Sequence, residues 1–320
     1  MNKCNLLFGN SEIMQQLYKQ IESVAQLDAT ALIMGESGTG KELVARAIHN
    51  HSPRSAKPFI AVNCGAIAEN LLESELFGHE KGSFTGALHT RAGYFEHVAD
   101  GTLFLDEITE MSLAHQVKLL RVLETGKFFR VGGSQEIISQ ARIVAATNRD
   151  PLKAVKANHL REDLMYRLAV FPLQIPPLRE RNHDCEQLAQ LFLDELNQTN
   201  RTHKRLSEKA LKLCSAYHWP GNIRELKNMI HRAFIMAENM VELPIKTLPE
   251  NKFFNKDNLV GGFEKNKPQF TISIGTKLSD AQRNIIINTI KNCDGNKQLA
   301  AKKLEISLKK LNEYEVTKLN

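Results

Sequence analysis

The sequence predicts an α/β protein with a mostly parallel sheet, followed by a small all-helical lid and a C-terminal helix-turn-helix. Apolar, β-rich runs alternate with helical patterns in the first half of the chain, and this alternation is typical of a parallel sheet covered on both faces. Prolines then end the strand pattern, and the periodic segments that follow are all helical. A length of 320 residues allows about two domains.

The predicted elements of the α/β core, which we assign to residues 1–175, follow in the order that a parallel sheet requires. Strands are expected at residues 30–34, 59–62, 102–105, 143–146 and 170–175. Helices are expected between them at residues 41–49, 67–76 and 113–123. Gly132 and Gly133 lie between β-formers at residues 127–138, which predicts a hairpin.

The second half of the chain is predicted to contain the lid, a linker and the helix-turn-helix. Three helical patterns follow a pair of prolines and assign the lid to residues 176–243. Prolines and glycines interrupt any periodicity at residues 244–275, which indicates a linker. Residues 276–320 contain three short helical patterns around a turn, as in a helix-turn-helix. The last of these helices is expected at residues 308–319.

The composition is that of an ordinary soluble protein. Hydrophobic residues make up 42% of the chain and charged residues 24%. No apolar run approaches the roughly 18 to 20 residues of a membrane span, and the first residues lack the apolar core of a signal peptide. The five cysteines form no C-x-x-C pair, so reduced thiols are expected. We therefore expect a cytoplasmic protein with no membrane partner.

A glycine-rich segment follows the first predicted strand and opens the first predicted helix. Its glycines would let the backbone fold around a phosphate, and the helix N-terminus and Lys41 would attract the charge. The strict motif ends in Ser or Thr, whose hydroxyl binds Mg²⁺, whereas this sequence has Glu42. The residues expected to bind ATP are Gly35, Glu36, Ser37, Gly38, Thr39, Gly40, Lys41 and Glu42.

Polar residues end the third and fourth predicted strands. We expect Asp106 to hold Mg²⁺ and Glu107 to orient and deprotonate the attacking water. Thr147 and Asn148 are expected to face the nucleotide, because the carboxyl ends of parallel strands border the ligand crevice. A plain strand-end turn is the alternative for this second pair.

These motifs, together with residues 75–87, closely resemble those of the AAA+ activators of sigma-54 RNA polymerase, the bacterial enhancer-binding proteins of NtrC type. The resemblance runs from about residue 6 to residue 241, and a weaker, Fis-like match covers residues 277–320. In that family a glutamate is usual at the position of Glu42. The resemblance implies a P-loop AAA+ core that hydrolyses ATP with Mg²⁺ in a homo-oligomeric ring, by expectation a hexamer. It also implies sigma-54 factor, RNA polymerase and upstream DNA as partners.

The family's signature loop, which touches sigma-54, has its match at residues 82–87. Phe84 and Thr85 correspond to the contacting pair, and Ser83 stands where alanine is usual. An apolar ring and a hydroxyl on glycine-hinged backbone can move between two positions, although an incidental surface turn is the alternative. The contact with sigma-54 is therefore expected at Gly82, Ser83, Phe84, Thr85, Gly86 and Ala87.

The resemblance assigns roles to four further residues. Asn63 matches a switch asparagine that restrains the catalytic glutamate, with a capped turn as the alternative. Arg161 and Arg167 match arginines that reach a neighbour's ATP, where a guanidinium stabilises the transferring phosphoryl group; their spacing alone would suggest a solvated helix face. Arg224 matches the lid arginine that senses the nucleotide of its own subunit.

The ends of the chain depart from the family pattern. Members usually carry a receiver or sensory domain before the ATPase, and here the ATPase pattern begins almost at Met1, so we expect no receiver domain. In the last helix Leu308, Lys309 and Lys310 stand where arginine and threonine are usual, and Glu305 replaces a turn glycine. Two roles of this C-terminal segment therefore stay open: sequence-specific DNA binding, and a helical tail that packs within the ring.

The expected function is ATP-driven remodelling of closed sigma-54 polymerase complexes into open complexes. One alternative is a DNA-binding regulator whose AAA+ core serves mainly for oligomerisation, and another is an AAA+ remodeller of a different client. The intact Phe84 and Thr85 pair and the two arginines argue against the first alternative, because a scaffold would not need them. The signature loop argues against the second.

Overall fold

The computed structural model describes residues 7–181, 184–243, 278–291, 296–304, 306–308 and 311. The chain divides into two compact units, Met1–Leu248 and Pro249–Asn320. In the part of the chain that is described, no helix is long and apolar enough to cross a membrane. The predicted linker at residues 244–275 and most of the helix predicted at 308–319 lie outside the described residues.

A five-stranded parallel sheet forms the centre of the first unit, which confirms the predicted fold class. Its strands lie in the order β2-β3-β6-β1-β7, and each lies within one residue of its predicted bounds. They are β1 (Ala31–Met34), β2 (Phe59–Asn63), β3 (Thr102–Asp106), β6 (Arg142–Thr147) and β7 (Phe171–Gln174). The predicted hairpin is also present as the antiparallel strands β4 (Lys127–Phe129) and β5 (Glu136–Ile138).

Helices cover both faces of the sheet. Those of the core are α1 (Glu12–Ala25), α2 (Lys41–Asn50), α3 (Glu69–Phe77), α4 (Tyr94–His97), α5 (Leu113–Thr125), α6 (Pro151–Lys156) and α7 (Glu162–Leu168). Alternate residues of a strand enter different cores, because side chains of a strand point to opposite faces. Phe104 packs in the cluster that contains α1 and α2, whereas its neighbours Leu103 and Leu105 pack in the cluster that contains α3 and α5.

Helix α1 was not among the sequence predictions. Met14, Leu17 and Ile21 are buried along one side of it, at the spacing of a helix that packs one face on a core. The buried guanidinium of Arg142 donates to the carbonyls of Val24 and Ala25 at 2.6 and 3.0 Å. Because these carbonyls lie at the C-terminal end of α1, Arg142 fixes that end to strand β6.

The lid contains the three predicted helices and a small addition. The helices are α8 (Asp184–Asn200), α9 (Glu208–Ala216) and α10 (Asn222–Met236), and a two-residue parallel pair, β8 (Arg205–Leu206) and β9 (Met240–Val241), accompanies them. Trp219 is buried at the centre of their shared core, and its indole N–H donates to the carbonyl of Cys214 at 2.8 Å. The cysteines whose side chains are described, Cys64, Cys185 and Cys214, are buried and form no disulfide.

The second unit contains two described helices, α11 (Leu278–Lys291) and α12 (Lys297–Lys303). Ile286, Ala300, Ala301 and Leu311 are buried together. This small core fits the first two helices of the predicted helix-turn-helix, and the helix-turn-helix as a whole stays a prediction.

Candidate functional site

The P-loop connects β1 to α2 at the carboxyl edge of the sheet. Gly38 and Gly40 have φ angles of +80° and +98°, which only glycine adopts without strain. Lys41 is 7% exposed, and its Nζ donates to the carbonyl of Gly35 at 3.2 Å. Thr39 is also buried and donates its hydroxyl to the carbonyl of Glu36. The loop therefore forms a compact turn at a helix N-terminus, as phosphate binding requires.

The Glu42 side chain does not replace the Ser or Thr hydroxyl that binds Mg²⁺ in the strict P-loop motif. Its carboxylate accepts from the Arg46 guanidinium at 2.8 and 3.0 Å, one helical turn along α2, and half of its side chain is exposed. A contribution of Glu42 to phosphate binding would therefore come from its backbone N–H at the start of α2.

Glu107 directly follows β3 and has an unusual backbone. Its φ and ψ angles are 54° and 50°, a left-handed conformation that costs about 1 kcal/mol or more for a residue with a Cβ. Its Oε1 lies 3.6 Å from Lys41 Nζ. Its Oε2 is buried and has no hydrogen-bond partner among the described residues. One carboxylate oxygen of Glu107 therefore remains available beside the P-loop lysine.

Asp106 and Asn63 are neighbours in the register of β2 and β3. Asp106 Oδ1 accepts from the backbone N–H of Glu107 at 3.0 Å. Asn63 Oδ1 accepts from the backbone N–H groups of Gly65 and Ala66, both at 3.0 Å. In this conformation Asn63 caps a turn and Glu107 pairs with Lys41, so the switch contact between Asn63 and Glu107 stays a prediction.

Thr147 and Asn148 end β6 with different surroundings. Thr147 is fully buried, and its hydroxyl lies 3.2 Å from that of Thr109 and accepts from the backbone N–H of Arg149 at 3.1 Å. It therefore ties β6 to the turn that follows Glu107. Asn148 is exposed and lines an open cavity of about 490 Å³ together with the start of the P-loop.

The lid contacts the P-loop through residues that sequence reasoning did not identify. Glu36 accepts two hydrogen bonds from the Arg179 guanidinium, at 2.6 and 2.9 Å, and one from Asn222 Nδ2 at 3.0 Å. The carbonyl of Gly38 accepts from the backbone N–H of Ile223 at 3.0 Å. The N-terminus of α10 therefore lies directly over the P-loop, where a helix dipole favours negative charge.

Arg224 lies at this same contact between lid and core. Its Nη1 donates to the hydroxyl of Ser37 at 3.0 Å. A Cβ built on Gly38 would lie 2.3 Å from the carbonyl oxygen of Gly221, so the two backbones meet with no room for a side chain. The structure thus brings Arg224 to the P-loop, as a nucleotide-sensing role requires.

The pair of Glu36 and Arg179 leads to a pH-dependent prediction. Hydrogen bonding to the Arg179 guanidinium holds the pKa of Glu36 below its ordinary value of 4.5. A carboxylate with a lowered pKa stabilises the fold above its unfolded pKa, and this contribution is lost as the pH falls through the lower folded value. Glu36→Gln should therefore lower the melting temperature at pH 7, and the difference from wild type should shrink below pH 4.5.

The expected difference is small, about 1 kcal/mol or less, because both side chains are more than one third exposed. Glu22→Gln removes an exposed carboxylate of α1 that lies away from the helix N-terminus, and serves as the control. Thermal unfolding curves from about pH 3 to pH 7, a range that includes the interval below 4.5, measure both variants. A constant difference between Glu36→Gln and wild type across that range would contradict the prediction.

The signature loop lies on the surface between two glycines. Gly82 and Gly86 have φ angles of +81° and +112°, and a Cβ on either would meet no atom within 4 Å. The backbone N–H of Gly82 donates to the carbonyl of Ala87 at 2.8 Å and closes the loop. Phe84 is 39% exposed, with its ring edge-on to His79 at 5.1 Å, and Thr85 beside it is exposed.

Ser83 packs against the tip of the β4–β5 hairpin. A Cβ built on Gly132 would lie 2.7 Å from the Ser83 Cβ, so glycine at position 132 lets the two segments meet. The Ser83 hydroxyl is buried and finds no hydrogen-bond partner in the described parts of the chain. Below this contact, Arg130 of the hairpin donates to the carboxylates of Glu80 and Glu96 at 2.6 to 3.0 Å. Neither contact was predicted from the sequence.

Comparison with known proteins now identifies the family. Residues 7–174 match the model of the Sigma-54 interaction domain, which is more than half of the chain, and residues 179–258 match the AAA+ ATPase lid domain. The chain belongs to the family of sigma-54-dependent transcriptional activators. The resemblance inferred from the sequence is thereby confirmed, together with membership of an ATPase family.

Two relatives align over almost the whole chain. Nitrogen fixation protein AnfA of Azotobacter vinelandii is 44% identical over 306 residues, which are 95% of this chain and 56% of AnfA. Regulatory protein AtoC of Escherichia coli K12 is 44% identical over 315 residues, 97% of this chain and 68% of AtoC. The chain spans about half the length of the nitrogen-fixation regulators that it matches.

A solved structure supports the same fold. The crystal structure of NtrX from Brucella abortus in complex with ATP matches with a TM-score of 0.70 and 30% identity. The match covers 98% of this chain and 68% of the NtrX chain.

The two arginines that resemble the trans-acting arginines of sigma-54 activators lie at the ends of α7. Arg161 donates to the Asp163 carboxylate at 2.7 and 3.0 Å. Arg167 donates to the carbonyl of Leu123 at 2.7 and 3.1 Å. Neither of these partners belongs to the P-loop, and the Arg161 side chain is partly exposed while Arg167 is exposed.

The site has the donor groups that Mg-ATP requires. The glycine cradle, Lys41 and the N-terminus of α2 suit the phosphates, and the unpaired Oε2 of Glu107 suits a water molecule. Nowhere in the described residues do three or more His, Cys, Asp or Glu side chains converge to hold a metal by themselves. A Mg²⁺ ion held by Asp106 would therefore need oxygen ligands from phosphates and water, as is usual for this ion.

Proposed function

We propose that this chain hydrolyses Mg-ATP in a homo-oligomeric ring, by family expectation a hexamer, and thereby converts closed sigma-54 polymerase complexes into open ones. The observation that carries the ATPase part is Glu107, whose strained backbone holds an unpaired carboxylate oxygen beside Lys41. Such strain persists only where the surroundings enforce it, and it is concentrated at functional sites.

Each residue of the nucleotide site has a role in this proposal. The backbone N–H groups of residues 35–42 and the Lys41 ammonium bind the phosphates. Glu107 orients the attacking water and accepts its proton. Mg²⁺, held by Asp106, would neutralise charge on the phosphates. Thr147, Asn148 and Arg224 respond to the nucleotide from the edges of the site, and Asn63 restrains Glu107 in another state of the loop.

Arg161 and Arg167 act on the ATP of the neighbouring protomer in this proposal. A guanidinium supplied from outside the site stabilises negative charge in the transition state for phosphoryl transfer. Within the protomer, Arg161 is held by Asp163 and Arg167 by the carbonyl of Leu123, and neither of these partners belongs to the P-loop. Hydrolysis would then depend on ring assembly, because a monomer lacks these groups at its own P-loop.

The loop at residues 82–87 transmits the energy to sigma-54 in this proposal. Its two glycines allow it to change conformation, and the exposed Phe84 and Thr85 offer an apolar and a hydrogen-bonding contact. The second unit would bind upstream DNA. Open-complex formation by sigma-54 holoenzyme on a linear promoter fragment tests the proposal, with purified protein and either ATP or a non-hydrolysable analogue.

Open complexes that form only with ATP would support the activator function. Vigorous ATP turnover without open complexes would favour a remodeller of a different client. Open complexes that form equally with the analogue, or without turnover, would favour a regulator in which the AAA+ core serves for oligomerisation alone.

Phe84→Ala is expected to separate turnover from activation. Truncation of a central aromatic contact costs about 2 kcal/mol or more, so open-complex formation should fall about thirtyfold or more. ATP turnover should stay within about twofold, because the Phe84 ring packs on His79, which is not a residue of the nucleotide site. Leu27→Ala removes another exposed apolar side chain and should change neither activity. Equal loss of turnover and activation in Phe84→Ala would assign the loop a structural role.

A further inference from the structure

Gln116 of α5 is a fully buried amide whose three hydrogen bonds all go to backbone atoms. Its Nε2 donates to the carbonyls of Met111 and His159 at 2.7 and 2.9 Å. Its Oε1 accepts from the backbone N–H of Arg161 at 2.9 Å. Because both the NH₂ group and the oxygen of this amide have partners, Gln116 fixes α5 relative to two backbone segments. These are the turn that ends at Met111 and the connection between α6 and α7.

One of these segments is the turn that follows Glu107. Met111 ends this turn, and its backbone N–H donates to the carbonyl of Ile108 at 3.2 Å. The turn is fixed to the end of β6, because Thr109 contacts Thr147 and Glu110 accepts from Arg149 at 2.6 Å. Gln116 is therefore anchored to a rigid part of the core.

The other segment is residues 157–161, which connect α6 to α7. It leads to Arg161, the N-cap of α7, which has an extended backbone. The Arg161 side chain caps no backbone N–H of the helix; its guanidinium pairs with the Asp163 carboxylate in the first turn of α7. The backbone of residues 159–161 is held by other contacts. Gln116 supplies two of them, one to His159 and one to Arg161 itself.

We propose that Gln116 is the positioning residue for Arg161, so that each protomer presents this guanidinium to its neighbour's ATP in a fixed place. This inference rests on the proposed action of Arg161 in trans. Loss of the Gln116 amide leaves the Met111 carbonyl buried without this donor, and the part-buried His159 carbonyl and Arg161 N–H lose their side-chain partner, so the segment moves to regain such contacts. A misplacement of about 1 Å can lower a rate by about a hundredfold.

Replacement of Gln116 in one protomer should slow ATP hydrolysis at the nucleotide site of the neighbouring protomer. Gln116→Met keeps the size and shape of the side chain and removes all three hydrogen bonds. The variant ring should bind ATP with unchanged affinity and hydrolyse it about a hundredfold more slowly. Gln190→Met is the matched control, because Gln190 is an exposed amide of α8 that donates only to Asp194.

Subunit mixing tests whether the defect acts in trans. Lys41→Ala protomers lose their own nucleotide site and retain a correctly placed Arg161. Mixed with Gln116→Met protomers, they offer that Arg161 to an intact P-loop. Turnover of the mixture should exceed that of either variant alone by at least about tenfold, since a correctly placed Arg161 removes the loss of about a hundredfold expected for Gln116→Met. Arg161→Ala mixed with Lys41→Ala is the reference and should be rescued in the same way.

The outcomes separate this inference from the proposed function. Rescue of the reference without rescue of Gln116→Met would show that Gln116 acts within its own protomer, and would overturn the inference. Failure of the reference itself would remove the trans role of Arg161 and the inference with it. Gln116→Asn, an uncharged amide one methylene shorter that cannot span the same three contacts, enters the same mixing experiment if Gln116→Met does not fold.

Discussion

Lys41→Ala is expected to abolish detectable ATP turnover and to weaken ATP binding by about a hundred- to ten-thousandfold. A charged hydrogen bond contributes about 1.5 to 3 kcal/mol, and two such contacts to phosphates correspond to that range of affinity. Lys41 is also the only cation paired with Glu107 among the residues described. Its loss leaves a largely buried carboxylate unpaired next to the phosphates, which adds to the cost of binding.

Calorimetric titration with ATP and a phosphate-release assay measure the two effects of Lys41→Ala separately. Lys57→Ala provides the control, because Lys57 forms an exposed ion pair with Asp100, and such pairs contribute little. Its binding and turnover should equal those of wild type. Unchanged ATP affinity in Lys41→Ala would exclude this loop as the phosphate site.

Glu107→Gln is expected to lower kcat by about 10² to 10⁴ and to leave KM for ATP within a fewfold of wild type. The amide has the shape of the carboxylate and cannot accept the proton of the attacking water, and general-base catalysis contributes about this much. A loss confined to kcat indicates an interaction made only in the transition state. It would distinguish Glu107 from Lys41, whose loss affects the ground state as well.

Steady-state kinetics over a range of ATP concentrations provide both constants for Glu107→Gln. Glu22→Gln, which alters an exposed carboxylate on α1, controls for a general effect of charge. A decrease of less than about tenfold in Glu107→Gln would mean that another group accepts the proton.

The central sheet could be predicted closely from the sequence for a physical reason. Parallel strands buried on both faces are nearly continuous apolar runs, and each of the five strands lies within one residue of its prediction. Helix α1 was missed although Met14, Leu17 and Ile21 have helical spacing. The lid helices were identified by the same period, and the two-residue strands β8 and β9 are too short to produce a pattern.

The candidate site was predicted in its parts and only partly in its arrangement. Strand order brings the P-loop, Asp106 and Glu107 to one edge, and the sequence motifs anticipate this. The contacts of Glu36 with Arg179 and Asn222 join residues 143 and 186 positions apart, so they depend on how the lid docks. The turn capped by Asn63 was anticipated as an alternative, whereas the left-handed backbone of Glu107 is specified by no motif.

The left-handed backbone of Glu107 places stability and catalysis in conflict at one position. Glycine would adopt these angles without strain, but it would remove the carboxylate that the proposed chemistry needs. Thermostability and activity therefore favour different residues here, as is common where function requires strain. Directed evolution of a heat-resistant variant under selection for folding alone would favour sequences that have lost this glutamate.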